Sequence, residues 1–161
     1  GELTRYAKQY DIRVIVDTAG DALKRAFENG VYLMKPNLHE LELFSGETIS
    51  GEDHIREIAQ RLIAEGLAEV IVVSMGAAGA AMITDTEYAH MRAPIVPVQS
   101  KVGAGDSMVG GLVMGLAQGR DLLDAVRFGI AAGTAAVMTE GTQLCRLHDT
   151  QRLYDQILVS Q

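Results

Sequence analysis

The chain has 161 residues, 48% of them hydrophobic and 22% charged, which suits one packed domain over 1–161 and argues against a disordered chain. Its 14 Lys and Arg against 21 Asp and Glu leave a formal charge of −7. That balance excludes a basic footprint for nucleic acid or an anionic membrane, so any phosphate chemistry must use local donors. The single cysteine, Cys145, excludes an internal disulfide, and with no signal peptide and no apolar run of membrane length the expected setting is the cytoplasm.

The opening "GELTRYAKQY" lacks a methionine and reads as the end of an amphipathic helix already under way, the pattern of a piece of a longer protein. "DIRVIVD" (11–17), "VYLMK" (31–35) and "AEVIVVS" (68–74) are short apolar runs rich in branched residues, as expected of parallel strands buried on both faces. Between the last two, "GEDHIREIAQRLIAEG" sets Ile55, Ile58, Ala59, Leu62 and Ile63 on one helical face. Ser50 and Asp53 stand at capping-box spacing before it and Gly66 follows it. "MGAAGAAMITDTEYAHMRA" alternates and turns like hairpin strands at a sheet edge. Helical spacing then covers roughly 105–118, 121–138 and 148–159. The expected class is α/β, a mostly parallel sheet between helices with an antiparallel hairpin edge.

Ligands in such sheets collect beyond the C-terminal strand ends, where "KPNLHE", "SMGAAG" and "KVGAGD" fall. In the last, Gly103, Ala104 and Gly105 let backbone N–H groups approach a ligand at a helix mouth whose first amides are unpaired. Asp106 places a carboxylate beside that anion hole, the arrangement for phosphoryl transfer to an alcohol. The structural reading, a carboxylate complementing the helix dipole behind packing glycines, stays open. A dinucleotide-binding loop fails on Met108, where glycine or alanine is needed, and the P-loop pattern is absent.

"KPNLHE" also has two readings, which are compatible. Asn37 and Glu40 have the spacing of a capping pair; alternatively Glu40 faces a hydrated Mg²⁺ while Lys35 and Asn37 donate to nucleotide phosphates. In "SMGAAG", Ser74 and the amides near Gly76 and Gly79 either make a turn or border a nucleotide. The four histidines show no ligand spacing with one another or with Cys145, and the methionines read as core.

Taken in order, "KPNLHELE", "VVSMGAAGA" and "VGAGDSMVGG" resemble the C-terminal half of the PfkB-type, ribokinase-like sugar kinases. The stretch from "VGAGDSMVGG" to "GTQLC" is most similar to the minor-type 6-phosphofructokinases of that family. The resemblance implies a ribokinase-like three-layer α/β/α fold and ATP-dependent phosphorylation of a sugar phosphate by a homodimer. Asp106 would match the base, Gly103, Ala104 and Gly105 the anion hole. Lys35, Asn37, Ser74, Gly76 and Gly79 would match the ATP contacts, and Glu40 the Mg²⁺ contact through water. A monovalent cation, K⁺, would be held by carbonyls at Ser100, Val102, Ala136, Thr139 and Gly141. Lys101 stands where the family commonly has a small hydroxylated residue, and Thr139 and Gln143 stand where Asn and Arg are usual, which bears on that cation site. The N-terminal half, with most sugar contacts and the lid, would lie outside this chain, so the isolated 161 residues are expected to turn over little sugar phosphate. Fructose 6-phosphate is the expected acceptor; tagatose 6-phosphate, fructose 1-phosphate and a non-catalytic nucleotide-binding or regulatory module are the alternatives.

Overall fold

The computed structural model describes residues 2–18 and 30–160. They form two compact units, the first of residues 2–18, 30–74 and 81–89 and the second of residues 75–80 and 90–160. Among the described residues no helix is long and apolar enough to cross a membrane.

The first unit begins with α1 (Glu2–Gln9), which buries Thr4 and Ala7 and leaves Leu3 and Tyr6 exposed, as is Tyr10 just past its end. The strand expected over 11–17 is shorter, with β1 confined to Ile15–Val16. The cause is local: the N–H groups of Tyr10, Asp11 and Ile12 still donate back to the carbonyls of Ala7 and Lys8, and Asp11 has φ +54. The chain is therefore unwinding from α1 where the branched residues begin. β2 (Val31–Met34) and β3 (Ala68–Ser74) follow the apolar runs closely. β1, β2 and β3 pair in parallel, with Val16 opposite Met34 and Leu33 opposite Val70.

α2 (Leu38–Ser45) and α3 (Glu52–Ala64) connect β2 to β3. α3 buries Ile55, Ile58, Ala59 and Leu62 as the spacing predicts, and Gly66 takes a left-handed φ of +78 just past its end. The capping box expected from Ser50 and Asp53 is not formed; the N-cap is Gly51 and no side chain caps it. His54 intervenes, its Nδ1 accepting from the Ser50 N–H at 3.3 Å and its Nε2 lying 3.2 Å from Glu47, which also pairs with Arg61. β4 (Ala80–Ile83) and β5 (Tyr88–Met91) complete a five-stranded sheet in the order β1-β2-β3-β4-β5. The turn between them is closed by the Thr84 N–H donating to the Glu87 carbonyl at 2.9 Å, and so short a turn makes the pair antiparallel.

In the second unit α4 (Ala104–Ala117) packs along α5 (Leu122–Val137), and α5 along α6 (Leu147–Ser160). Small residues set the first contact. A Cβ on Gly111 would lie 2.6 Å from the Ala132 Cβ, and one on Gly129 would lie 2.8 Å from the Met108 carbonyl oxygen. The contact between α5 and α6 is polar at one end. The Tyr154 hydroxyl donates to Asp124 at 2.5 Å, Arg120 reaches the other Asp124 oxygen at 3.0 Å, and the guanidinium lies over the Phe128 and Tyr154 rings.

Burial alone would raise the Asp124 carboxyl, but the hydrogen bonds from Tyr154 and Arg120 outweigh it and hold it below its ordinary value of 3.8. A lowered folded-state value stabilises the protein above the unfolded value and loses that stabilisation as pH falls through the folded one. Tyr154→Phe is therefore expected to cost about 1.5–3 kcal/mol at neutral pH, the range for a hydrogen bond to a charged group. The deficit should shrink below pH 3.8, which urea unfolding at pH 7 and pH 3 would check.

Candidate functional site

The C-terminal ends of the parallel strands in the first unit carry a row of polar residues. Lys35 follows β2 directly and is buried, with its Nζ 3.3 Å from the Asp17 carboxylate. Pro36 then turns the chain into α2, and its carbonyl accepts from the Ser74 N–H at 2.9 Å and from the Ser74 hydroxyl at 3.4 Å. An isolated parallel bridge joins Asn37 to Ser74. Lys35, Asn37, Glu40 and Ser74 are thus brought together by one strand-end framework.

Asn37 and Glu40 form a complete capping box. The Asn37 Oδ1 accepts from the Glu40 N–H at 2.9 Å, and the Glu40 Oε2 accepts from the Asn37 N–H at 2.8 Å. The cap uses one of the two carboxylate oxygens, so it does not compete with a further role for Oε1. Asn37 is exposed and Glu40 half-buried. Among the described residues no three His, Cys, Asp or Glu side chains cluster as a metal cage. A divalent ion held by one carboxylate, water and substrate phosphates fits this donor set, since Mg²⁺ keeps much of its hydration.

In the second unit, Met75 to Gly79 forms a tight turn around a short 3₁₀ segment, Gly76–Ala78. The Met75 N–H donates to the Gly79 carbonyl at 2.8 Å, and the Gly79 N–H donates to the Gly76 carbonyl at 3.0 Å. Gly79 is buried with φ +93, while Gly76 is exposed with φ +58.

The GAGD loop opens α4. Gly103, in the left-handed conformation at φ 78, is its N-cap and supplies no side-chain acceptor. The first amides of the helix are therefore left without a side-chain cap, unlike those of α5, where Asp121 accepts from the Asp124 N–H at 2.8 Å. Uncapped N–H groups and the positive end of the helix dipole favour an anion at this point. Asp106 sits exposed in the same first turn, and the buried Ser107 behind it has an Oγ without a hydrogen-bond partner. Nothing in the sequence reading singled out Ser107.

The loops expected to hold a monovalent cation also meet within this unit. The Ser100 hydroxyl donates to the Gly141 carbonyl at 2.7 Å, and the Val102 N–H donates to the Ser100 Oγ at 3.2 Å. The Thr139 hydroxyl lies 2.8 Å from the Ala136 carbonyl and 2.6 Å from that of Gln143. Lys101 is exposed. A cavity of about 810 Å³ lies elsewhere, at the opposite strand ends of the first unit among Lys8, Asp11, Arg13, Tyr32 and Glu69, and none of the candidate residues lines it.

Comparison with known proteins agrees with these motifs. The chain is 41% identical over 154 residues to the ATP-dependent 6-phosphofructokinase isozyme 2 of Escherichia coli, covering 95% of this chain and 50% of that protein. It is 37% identical over 143 residues to a 1-phosphofructokinase of Rhodobacter capsulatus, covering 89% of this chain and 45% of that protein. Among solved structures, E. coli phosphofructokinase-2 in complex with potassium superposes with a TM-score of 0.92 at 40% identity, over 98% of this chain and 51% of that one. The chain spans about half the length of the relatives it matches, and its fold is the ribokinase-like α/β arrangement that the motifs implied. The family model for pfkB carbohydrate kinases matches residues 2–149, so the chain belongs to the pfkB family of carbohydrate kinases.

Proposed function

We propose that the protein carrying this chain transfers the γ-phosphoryl group of MgATP to a hydroxyl of a sugar phosphate, converting fructose 6-phosphate to fructose 1,6-bisphosphate. The observation that carries this reading is Asp106, exposed in the first turn of a helix whose N-cap is a glycine. A binder of phosphate gains nothing from a carboxylate there, whereas a phosphoryl-transfer enzyme needs one to accept a proton.

In the proposed reaction Asp106 takes the proton of the acceptor hydroxyl. The hydroxyl oxygen forms its bond to the γ-phosphorus as the bond to the β–γ bridging oxygen breaks, and ADP leaves. The N–H groups at Gly103, Ala104 and Gly105 meet the charge on the transferring oxygens, the larger part of the work when the transition state is loose. Lys35, Asn37 and Ser74 donate to the nucleotide phosphates, and Gly76 and Gly79 border the nucleotide. Bound Mg²⁺ supplies charge neutralisation at the phosphate oxygens, with Glu40 as its contact through water. Carbonyls at Ser100, Val102, Ala136, Thr139 and Gly141 are the proposed potassium ligands; of these, Ala136 accepts from the Thr139 hydroxyl and Gly141 from the Ser100 hydroxyl, which leaves each a second lone pair for an ion. The whole enzyme is proposed to act as a cytoplasmic homodimer.

The relative named 1-phosphofructokinase is what keeps a second acceptor in view. ADP release by the whole protein with MgATP and each of fructose 6-phosphate, tagatose 6-phosphate and fructose 1-phosphate separates the choices. Turnover with fructose 6-phosphate is the expected result. Turnover with another acceptor alone corrects the substrate, and MgATP binding without transfer to any of them replaces the kinase reading with a nucleotide-binding module.

A further inference from the structure

The ion pair between Asp17 and Lys35 was not visible as a site in the sequence. The parallel register that sets Val16 opposite Met34 leaves Asp17 and Lys35 as the next residues past the two strand ends, and the Lys35 N–H donates to the Val16 carbonyl at 3.1 Å. Both side chains therefore leave the sheet at its C-terminal edge and on the same face. Only 5% of the Lys35 side chain is exposed, against 26% of Asp17. An unpaired buried charge is strongly unfavourable, so a lysine so enclosed needs its carboxylate partner. Lys35 has three N–H donors and a four-carbon stem that no other feature of lysine orients. The ion pair with Asp17 at 3.3 Å fixes the stem and leaves N–H donors for an incoming ligand.

We propose that Asp17 is a positioning residue. It holds the Lys35 ammonium in place for the β- and γ-phosphates of the nucleotide and so sets the preference for a nucleoside triphosphate over a monophosphate. This inference rests on the proposed function, which places Lys35 at the nucleotide phosphates. A pair serving stability alone could sit anywhere along β1 and β2, and apolar residues would often replace it without loss. This one sits at the strand ends, two residues before Asn37.

The test measures the affinities of the whole protein for MgATP and for AMP in four forms: wild type, Asp17→Asn, Lys35→Met and the double variant. AMP lacks the phosphates that Lys35 would meet, so the ratio of the two affinities isolates that contact from general destabilisation. Asp17→Asn is expected to lower the ATP-to-AMP ratio at least tenfold, Asp17→Glu to restore part of it, and the double variant to match Lys35→Met alone. An unchanged ratio with a lowered melting temperature makes the pair structural and overturns the inference. A raised ratio overturns it too, because it makes Asp17 a charge that repels the phosphates. Both leave the kinase reading standing if the wild type transfers phosphate. A wild type that binds neither nucleotide removes the nucleotide site itself and the inference with it.

Discussion

Asp106→Asn is expected to lower kcat for phosphoryl transfer by about 10²–10⁴-fold, the range for a positioned general base, while leaving MgATP affinity within a fewfold of the parent. Asn keeps the shape of the side chain and can still accept a hydrogen bond from the acceptor hydroxyl, but it cannot take the proton away. The exposed position of Asp106 in the first turn of α4 gives the substitution little to disturb in packing. Removing a carboxylate from the helix mouth costs a dipole interaction of about 0.3–1 kcal/mol, too small to be confused with a loss of fold. Steady-state ADP release with saturating acceptor gives kcat, and calorimetric titration with MgATP gives the affinity. Equal loss of both would make the aspartate structural.

Gly79→Ala is expected to give the largest loss of stability. A Cβ at this position would lie 2.0 Å from the Met91 carbonyl oxygen and 2.7 Å from the Ala93 backbone nitrogen. Both obstacles are backbone, so no side chain can rotate out of the way. The φ of +93 adds strain for any L residue. Together these effects should cost about 3 kcal/mol or more, which for a chain of this size lowers the melting temperature by about 6–12 °C. Gly76→Ala supplies the contrast: its φ is +58 but nothing lies within 4 Å of the new methyl, so only backbone strain of about 1–2 kcal/mol is expected. Thermal unfolding of the two variants side by side separates lack of space from backbone strain. Comparable losses would show that the turn shifts to accommodate a methyl.

Legibility in the sequence followed the range of the interactions. β3 was readable in full because a run of branched residues bounded by turn residues leaves little alternative. Asn37 and Glu40 were readable because both halves of the capping box lie within four residues. The helix mouth at the GAGD loop was equally local, its start falling one residue before the 105 expected. The box expected at Ser50 failed because His54, one turn into the helix, took the Ser50 N–H. β1 proved shorter than its apolar run because the exit from α1 consumed the residues up to Ile12. The pairing of Asp17 with Lys35 depends on strand register across 18 positions, and no local pattern encodes register. The same holds for Tyr154 and Asp124, joined across 30 residues.

The close contact of α4 with α5 bears on how firmly the GAGD loop is held. Gly111, Gly129 and Ala132 meet there, and a Cβ on Gly133 would lie 3.0 Å from the Ala104 carbonyl oxygen. Glycine and alanine have no side-chain rotamers to freeze, so at these positions the two backbones come close without that entropic loss, with Met108 and Leu112 of α4 packed beside them. The first turn of α4 is thereby referred to the backbone of α5 at Gly133, which limits how far its amides can swing. Little reorganisation is then left for the moment at which charge develops.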